Sequence, residues 1–546
     1  MTARALQVDL MLRWYHDNLG AKPPSPLEYY SGLSDIRRNF GWWVCAEMGA
    51  PPSTHWNWDV SQFPDLRLAS ICFVAVAVLG LLLYREYGPH GLSHIPAVGG
   101  PPVPILSYFN AFRYFLYVRT TLHEGCNKYA NGMFRVPQTD RWVVILTSKS
   151  VIDEVRQLPE DKMSVPHGVG EITAAKYVFG TGHKFLTSDD GVAILHRFLG
   201  RRLWDRAAVV HEEMLMAVKD VISSDSHKGW VGVPGFDTIV HIIARSTNRA
   251  FVGLPLCRNA EFLDVVVSAA LDVFKARLII NLFPPFIKPY VAHLVSPTPR
   301  NIKKCKHFLQ PIMEDRMRDG KLGRALSTID DIISALFVLE FGSIHTTASS
   351  FTHALYEVAA HPEYAALLRE EAESVLLEEG SLSTKAALGK LVRVDSFLKE
   401  SQRFHGVNAN SLFRQARMDV ILSDGTFFPK GTVLSAAARY IHHSEENYTH
   451  PDIFDPLRFV RLARESSSVV GQNYSTPRLE YLPFGIGKHA CPGRFFASLE
   501  MKMLMAHLVM TFDIQFENGG PRAQDTWLGT TNIPNRTAKL YFKERL

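Results

Sequence analysis

Residues 484–493 read FGIGKHACPG, one cysteine set among three glycines and a proline and followed by the helical pattern RFFASLEMK. A loop this small and rigid fixes where the thiol points, so the rest of the chain must fold around that sulfur. The plain alternative is a cysteine serving as a small buried hydrophobe. Two nucleotide-binding readings fail on the residues themselves. A phosphate loop needs a glycine five residues before Gly487 and a Ser or Thr after the lysine, where this chain has Leu482 and His489. A dinucleotide fingerprint fails because Ala490 replaces the later glycine, and Pro483 and Phe484 stand where a parallel strand should end.

A metal-ligand reading has a physical logic. Gly487 and Gly493 let the backbone curl so that N–H groups face the sulfur, and Pro492 suits the first turn of a helix. Cys491 then sits at a helix N-terminus, where the dipole lowers a thiol pKa. One thiolate cannot hold zinc or an iron–sulfur cluster, and no other cysteine is near. It suffices for a haem iron, whose equatorial bonds come from the porphyrin.

Phe484, Gly487, Cys491 and Gly493 match F-x-x-G-x-x-x-C-x-G, and in this the chain resembles the cytochrome P-450 family of haem-thiolate monooxygenases. The resemblance implies Cys491 as metal ligand, with Phe484, Gly485, Gly487 and Gly493 lining the cofactor, haem b. It implies His489 and Arg414, the latter in SLFRQARMD, as partners of the haem propionates. The family's W-x-x-x-R is missing from LHRFLGRRLWD, so Arg201 and Arg202 stay equal candidates for a further propionate contact. Glu400 and Arg403 form E-x-x-R on one helical face, and FDPLRF supplies Arg458. By resemblance these three make a buried structural cluster, which stands or falls together because unpaired buried charge is costly.

On the oxygen side, residues 331–360 read as one helix of about 45 Å, opened by the capping residues of STIDD. Its middle, GSIHTT, aligns with the family's A/G-G-x-D/E-T-T, which implies a proton-relaying hydroxyl at Thr346. Ser343 replaces the glycine and His345 the acid, a variant similar to that of fungal ent-kaurene-oxidase-like members. His345 is expected either to take part of the acid's role or to point away, with water supplying the proton.

Composition constrains the rest. With 47% hydrophobic and 21% charged residues and a net charge of only +5, the chain is globular with a large core, and nucleic acid is not a favoured partner. The cysteines, Cys45, Cys72, Cys126, Cys257, Cys305 and Cys491, show no C-x-x-C pairing and suit a reducing cytosol. Residues 68–84, LASICFVAVAVLGLLLY, carry no charge over 17 positions. As a helix they reach about 25 Å, near the ~27 Å of an endoplasmic-reticulum core. The expected organisation is an extension at 1–67, an anchor at 68–84, a proline-rich hinge at 85–104 and a catalytic domain at 105–546. Either the extension is lumenal or translation begins at Met48. The apolar but proline-broken 278–295 is either a membrane-dipping segment or a buried interhelical loop.

The expected fold is mainly α-helical with small β-sheets, the cytochrome P-450 fold, on the endoplasmic-reticulum membrane facing the cytosol. The resemblance implies insertion of one oxygen atom from dioxygen into a C–H bond of a lipophilic substrate, a terpenoid by subgroup. Electrons would come from NADPH through a separate membrane-bound reductase, since the chain has no nucleotide or flavin motif. The competing readings are a haem-thiolate isomerase or dehydratase that uses no dioxygen, and a haem-binding sensor without turnover.

Overall fold

A computed structural model describes residues 92–101, 104–187, 203–222, 229–283, 285–318, 328–465 and 472–545, together with Val76 and Gly80. The expected extension, nearly all of the expected anchor, Arg201 and Arg202 lie outside these residues. The helices that matter for the site are α1 (Pro104–Leu116), α2 (Val118–Lys128), α3 (Val165–Thr173), α4 (Gly235–Phe251), α5 (Ala260–Ile280), α6 (Ile329–Ala360), α7 (Val392–His405) and α8 (Arg494–Thr511).

The axis of the fold is α6. Its 32 residues span about 48 Å, and the Thr328 hydroxyl caps it by accepting from the Asp331 N–H at 3.1 Å. It begins two residues before the sequence expectation and ends where expected. From Thr347 to Ala359 every residue is buried, because α4, α5, α7 and α8 surround it. Among the described residues it is the helix long and apolar enough to cross a membrane. Its surroundings are protein, so that apolarity serves a core.

A five-stranded sheet takes the order β1-β2-β5-β4-β3, with β1 Met133–Pro137, β2 Trp142–Leu146, β3 Met163–Ser164, β4 Ser411–Ala416 and β5 Val433–Ala436. The WVVIL of β2 is buried at all five positions, as expected of a strand covered on both faces. It pairs parallel to β5 and antiparallel to β1. The mainly helical class with small sheets is therefore observed.

The segment 278–295 divides. α5 ends at Ile280 and a short helix resumes over Lys288–Val295. Phe286, Tyr290 and Leu294 are exposed, so this is not a buried loop. What fixes it is Lys288, only 4% exposed, whose ammonium lies 2.6 Å from Asp140 Oδ2 and 2.9 Å from Asn281 Oδ1. Asp140 sits at the tip of the β1–β2 hairpin beside Arg141, which reaches Glu171 of α3 at 2.6 Å. Three distant segments are thus tied through two adjoining ion pairs.

Inside the helical core, Glu340 of α6 and Glu500 of α8 are fully buried. The Asn248 amide donates to Glu340 at 3.4 Å and the Thr247 hydroxyl to Glu500 at 3.0 Å. Burial pushes each carboxyl up to about 8, and the Glu340 charge further disfavours ionisation of Glu500. Each therefore holds a proton when folded that it sheds above about 4.5 when unfolded. Unfolding releases protons across that window, so stability declines as pH rises through it. The melting temperature of the haem-loaded protein is expected to fall between about pH 5 and 8, and Glu340→Gln to flatten the fall; an equal slope in the variant would contradict the assignment.

Candidate active site

The cysteine loop is held by its own backbone. The Cys491 N–H donates to Phe484 O at 2.8 Å and the Ala490 N–H to Gly487 O at 3.1 Å. This curl needs left-handed backbone at Gly485 (φ +67) and Gly487 (φ +81). Gly487 is also where the loop meets Arg156, whose carbonyl would lie 3.5 Å from an added Cβ. Gly493 differs from the expectation: its φ of −81 is open to any residue, and α8 starts after it, at Arg494. Cys491 consequently precedes the helix rather than lying in its first turn.

The thiol also departs from the simple dipole argument. Burial pushes Cys491 up, while the N–H groups of Gly493 and Arg494 and the Arg494 charge pull it down without prevailing. Yet the residue has solvent-accessible surface. A sulfur at the floor of a recess has both properties, enclosed by protein on most sides and open on one. Donors are thus already aimed at the sulfur for a thiolate that a metal would stabilise.

The long helix α6 is opened along one strip. Gly342 and Thr346, one turn apart, are exposed, with Phe341, Ser343 and His345 half-buried beside them, whereas the helix is wholly buried from Thr347 to Ala359. The Thr346 hydroxyl donates to Gly342 O at 2.7 Å, and that of Ser343 to Leu339 O at 2.6 Å. His345 takes the second orientation expected of it. Its Nε2 lies 3.0 Å from Val267 O of α5, and burial lowers its pKa despite that carbonyl. At neutral pH the ring is uncharged, its Nε2–H is committed to α5, and it stands about 100° around the helix from Thr346.

Tyr474, which no motif signalled, links the two sides. Its phenol is hydrogen-bonded to the Ser350 hydroxyl, one turn beyond Thr346. It donates to Gln402 Oε1 at 2.8 Å, and its ring meets Phe484 edge-on at 5.4 Å.

Arg414 lies on β4, 3% exposed. Its one hydrogen bond is a long 3.4 Å contact to Phe413 O, and it has no ion pair among the described residues. Burial draws it down to about 10, only partly offset by Glu160. Gly168 lets α3 press on this strand, since a Cβ there would come within 2.6 Å of the Arg414 backbone. A buried guanidinium without an anion fits a carboxylate-bearing group, and an enclosed thiol met by backbone N–H groups fits a metal ligand. By these observations the residues present suit haem. His489 behaves otherwise than expected: its Nε2 lies 3.1 Å from Glu160 Oε2, so a carboxylate of the chain itself meets it.

Behind the loop, Glu400 is fully buried and takes two guanidinium groups. Arg403 donates to both its oxygens at 2.7 and 2.8 Å, and Arg458 Nε lies 3.1 Å from each. Arg403 also reaches His442 O and Pro451 O, and Arg458 reaches Thr449 O and Ile453 O. His442 in turn accepts from the Leu482 N–H, two residues before Phe484. Lys399, also fully buried, donates to Gln472 O and Asn473 O and sits over the rings of Phe459 and Tyr481. Burial draws it down to about 7. Two open cavities, of about 830 and 600 Å³, lie elsewhere; neither is lined by Cys491 or Thr346.

The family model described as cytochrome P-450 matches residues 237–540. Cytochrome P-450 monooxygenase 151 of Postia placenta is 35% identical over 501 residues, covering 88% of this chain and 99% of that protein. Cytochrome P-450 monooxygenase 103 of the same fungus is 35% identical over 496 residues, with 87% and 98% covered. An ent-kaurene oxidase of Gibberella intermedia is 31% identical over 486 residues, with 84% and 91% covered.

Replacing Glu400 by Gln leaves two buried guanidinium groups without their anion. The expected loss is about 3–5 kcal/mol of stability, seen as a lower urea midpoint or as failure to accumulate soluble protein. A midpoint within error of wild type would mean the cluster does not hold the fold.

Proposed function

Because this chain belongs to the cytochrome P-450 family, as a haem-dependent oxidoreductase that incorporates oxygen, we propose that Cys491 is its thiolate ligand and a lipophilic terpenoid its substrate. The observation that carries the site is the enclosed Cys491 thiol met by the N–H groups of Gly493 and Arg494, in a loop joined to α6 by Tyr474, whose ring meets Phe484 and whose phenol bonds Ser350 one turn beyond the exposed Thr346. Bound haem supplies dioxygen activation, which a thiolate ligand favours by donating electron density.

The chain's own residues supply placement and protons. Arg414 takes one propionate, and Phe484, Gly485, Gly487 and Gly493 shape the loop against the haem. His489 approaches the second propionate only in company with Glu160. Gly342 leaves room beside the haem face, and Thr346 Oγ1 holds the proton to be delivered. Its hydroxyl now points to Gly342 O, so delivery needs a rotation about χ1 or a water accepting from it. His345, bonded to α5, keeps the helix in place rather than donating.

The terpenoid assignment is supported by likeness to the ent-kaurene oxidase and by the I-H-T-T variation. A redox partner reductase is required by the family's chemistry, and NADPH–cytochrome P-450 reductase is the proposed one. The uncharged run at 68–84 and the exposed Phe286, Tyr290 and Leu294 support an endoplasmic-reticulum membrane location with the catalytic domain in the cytosol.

The ferrous–carbon monoxide spectrum is expected to show a strongly red-shifted Soret band that Cys491→Ala abolishes; a band at the ordinary haem position in folded wild type would end the thiolate assignment. Turnover of a terpenoid panel under labelled dioxygen should place label in product. Thr346→Val should lower product formed per NADPH, by an order of 10² if the hydroxyl is the main proton donor. His345→Ala should leave that ratio unchanged.

A further inference from the structure

The cavity of about 600 Å³ lies between α1, α2, the short helix Ala438–His442 and the tip of a hairpin formed by β6 (Thr526–Leu528) and β7 (Thr531–Ile533). Its charge is unbalanced. Arg119 of α2 and Arg439 both stand over the Trp527 ring, each with Cζ 5.3 Å from the ring centroid. Neither has an ion pair among the described residues: Arg119 makes no hydrogen bond, and Arg439 donates only to Phe404 O at 3.2 Å. Burial and then the Arg119 charge draw Arg439 down to about 10, while Asp452 and Asp525 favour its charge only from beyond ion-pair distance. Asp452 lines the cavity but is engaged at 2.7 Å by His443 Nδ1. The indole face softens the repulsion. An anion bound by both guanidinium groups would relieve it.

Size and surroundings narrow the anion. At about 30 Å³ of liquid volume per water, the cavity holds roughly 20 waters' worth of space, more than a bare inorganic ion fills. Its mouth is apolar, with Leu116 50% and Tyr117 59% exposed, and Leu116 continues a stripe with Phe109 and Phe112 at i, i+3 and i+7 along α1. Such a stripe suits hydrocarbon chains leading away from a charged head. α1 also begins 20 residues after the uncharged run ending at Tyr84. We propose that this cavity binds the phosphate of an anionic phospholipid, held by Arg119 and Arg439 against Trp527, with the acyl chains along the α1 stripe. The source of the lipid rests on the membrane reading above; the anion site rests on its own residues.

The site borders a seam between two segments. Ala409 and Gly529 line the cavity. Their segments are stitched by Ala409 N–H to Thr530 O and Asn532 N–H to Val407 O, both at 2.8 Å. A headgroup here would brace the junction of 406–411 with 530–535.

The test is titration of the full-length haem-loaded protein at constant ionic strength, read by tryptophan fluorescence and thermal unfolding. The probes are dioctanoyl phosphatidic acid, dioctanoyl phosphatidylcholine and inorganic phosphate. Saturable binding of the phosphatidic acid alone is expected, weakened about 10- to 100-fold by Arg119→Gln, as for loss of one hydrogen-bonded charge. Trp527→Phe should remove the fluorescence response while keeping the thermal shift. Arg119 is exposed, so its replacement is not expected to unfold the chain. Affinity equal in wild type and Arg119→Gln, or no saturable binding, overturns the proposal. Equal binding of inorganic phosphate overturns the lipid assignment. Flotation with pure phosphatidylcholine vesicles tests membrane attachment alone, so failure of that reading is recognised separately from failure of this site.

Discussion

Everything around the cysteine loop depends on one buried carboxylate. Glu400 meets two guanidinium groups with no solvent to share the charge, and each arginine spends its remaining donors on carbonyls of the stretch between β5 and the loop. That stretch has little regular structure, so few ladder bonds hold it. Charge-assisted hydrogen bonds, stronger and more directional than neutral ones, take their place. The desolvation penalty of three buried ions is offset only while all three are present. The gain is a loop of fixed position, reached through His442 and the Leu482 N–H.

The opposite wall works by exclusion. Along the middle of α6 the exposed positions are Gly342 and Thr346, before a run from Thr347 to Ala359 that is buried throughout, so that strip is where a reactant can approach the helix. The same packing explains His345. A residue 100° away from the strip faces a neighbouring helix, and there a ring nitrogen finds a backbone carbonyl rather than a reactant.

What the sequence discloses about this protein follows how local each signal is. The E-x-x-R pair and the span of α6 are short-range patterns, and both form close to where they are read, whereas the cysteine loop curls at Gly485 and Gly487 but not at Gly493. Tyr474, Lys399 and the Glu160 partner of His489 were missed because their meaning lies in contacts across long separations. A tyrosine in a loop, or a lysine beside a glutamate, carries no mark of burial. Glu340 is a nearer miss. Inside DIISALFVLEFG it is a lone acid in an apolar run, a pattern that already asks for a neutral carboxyl. Gly493 shows the reverse: it belongs to the motif, yet its backbone needs no glycine.

The pair of Lys288 and Asp140 has a consequence for timing. Its ammonium and carboxylate are both nearly inaccessible, so a small separation between them gains no hydration and forfeits most of the attraction. Such a contact has two states, closed or fully parted, with little between. The apolar segment it fastens therefore moves by discrete events rather than by breathing.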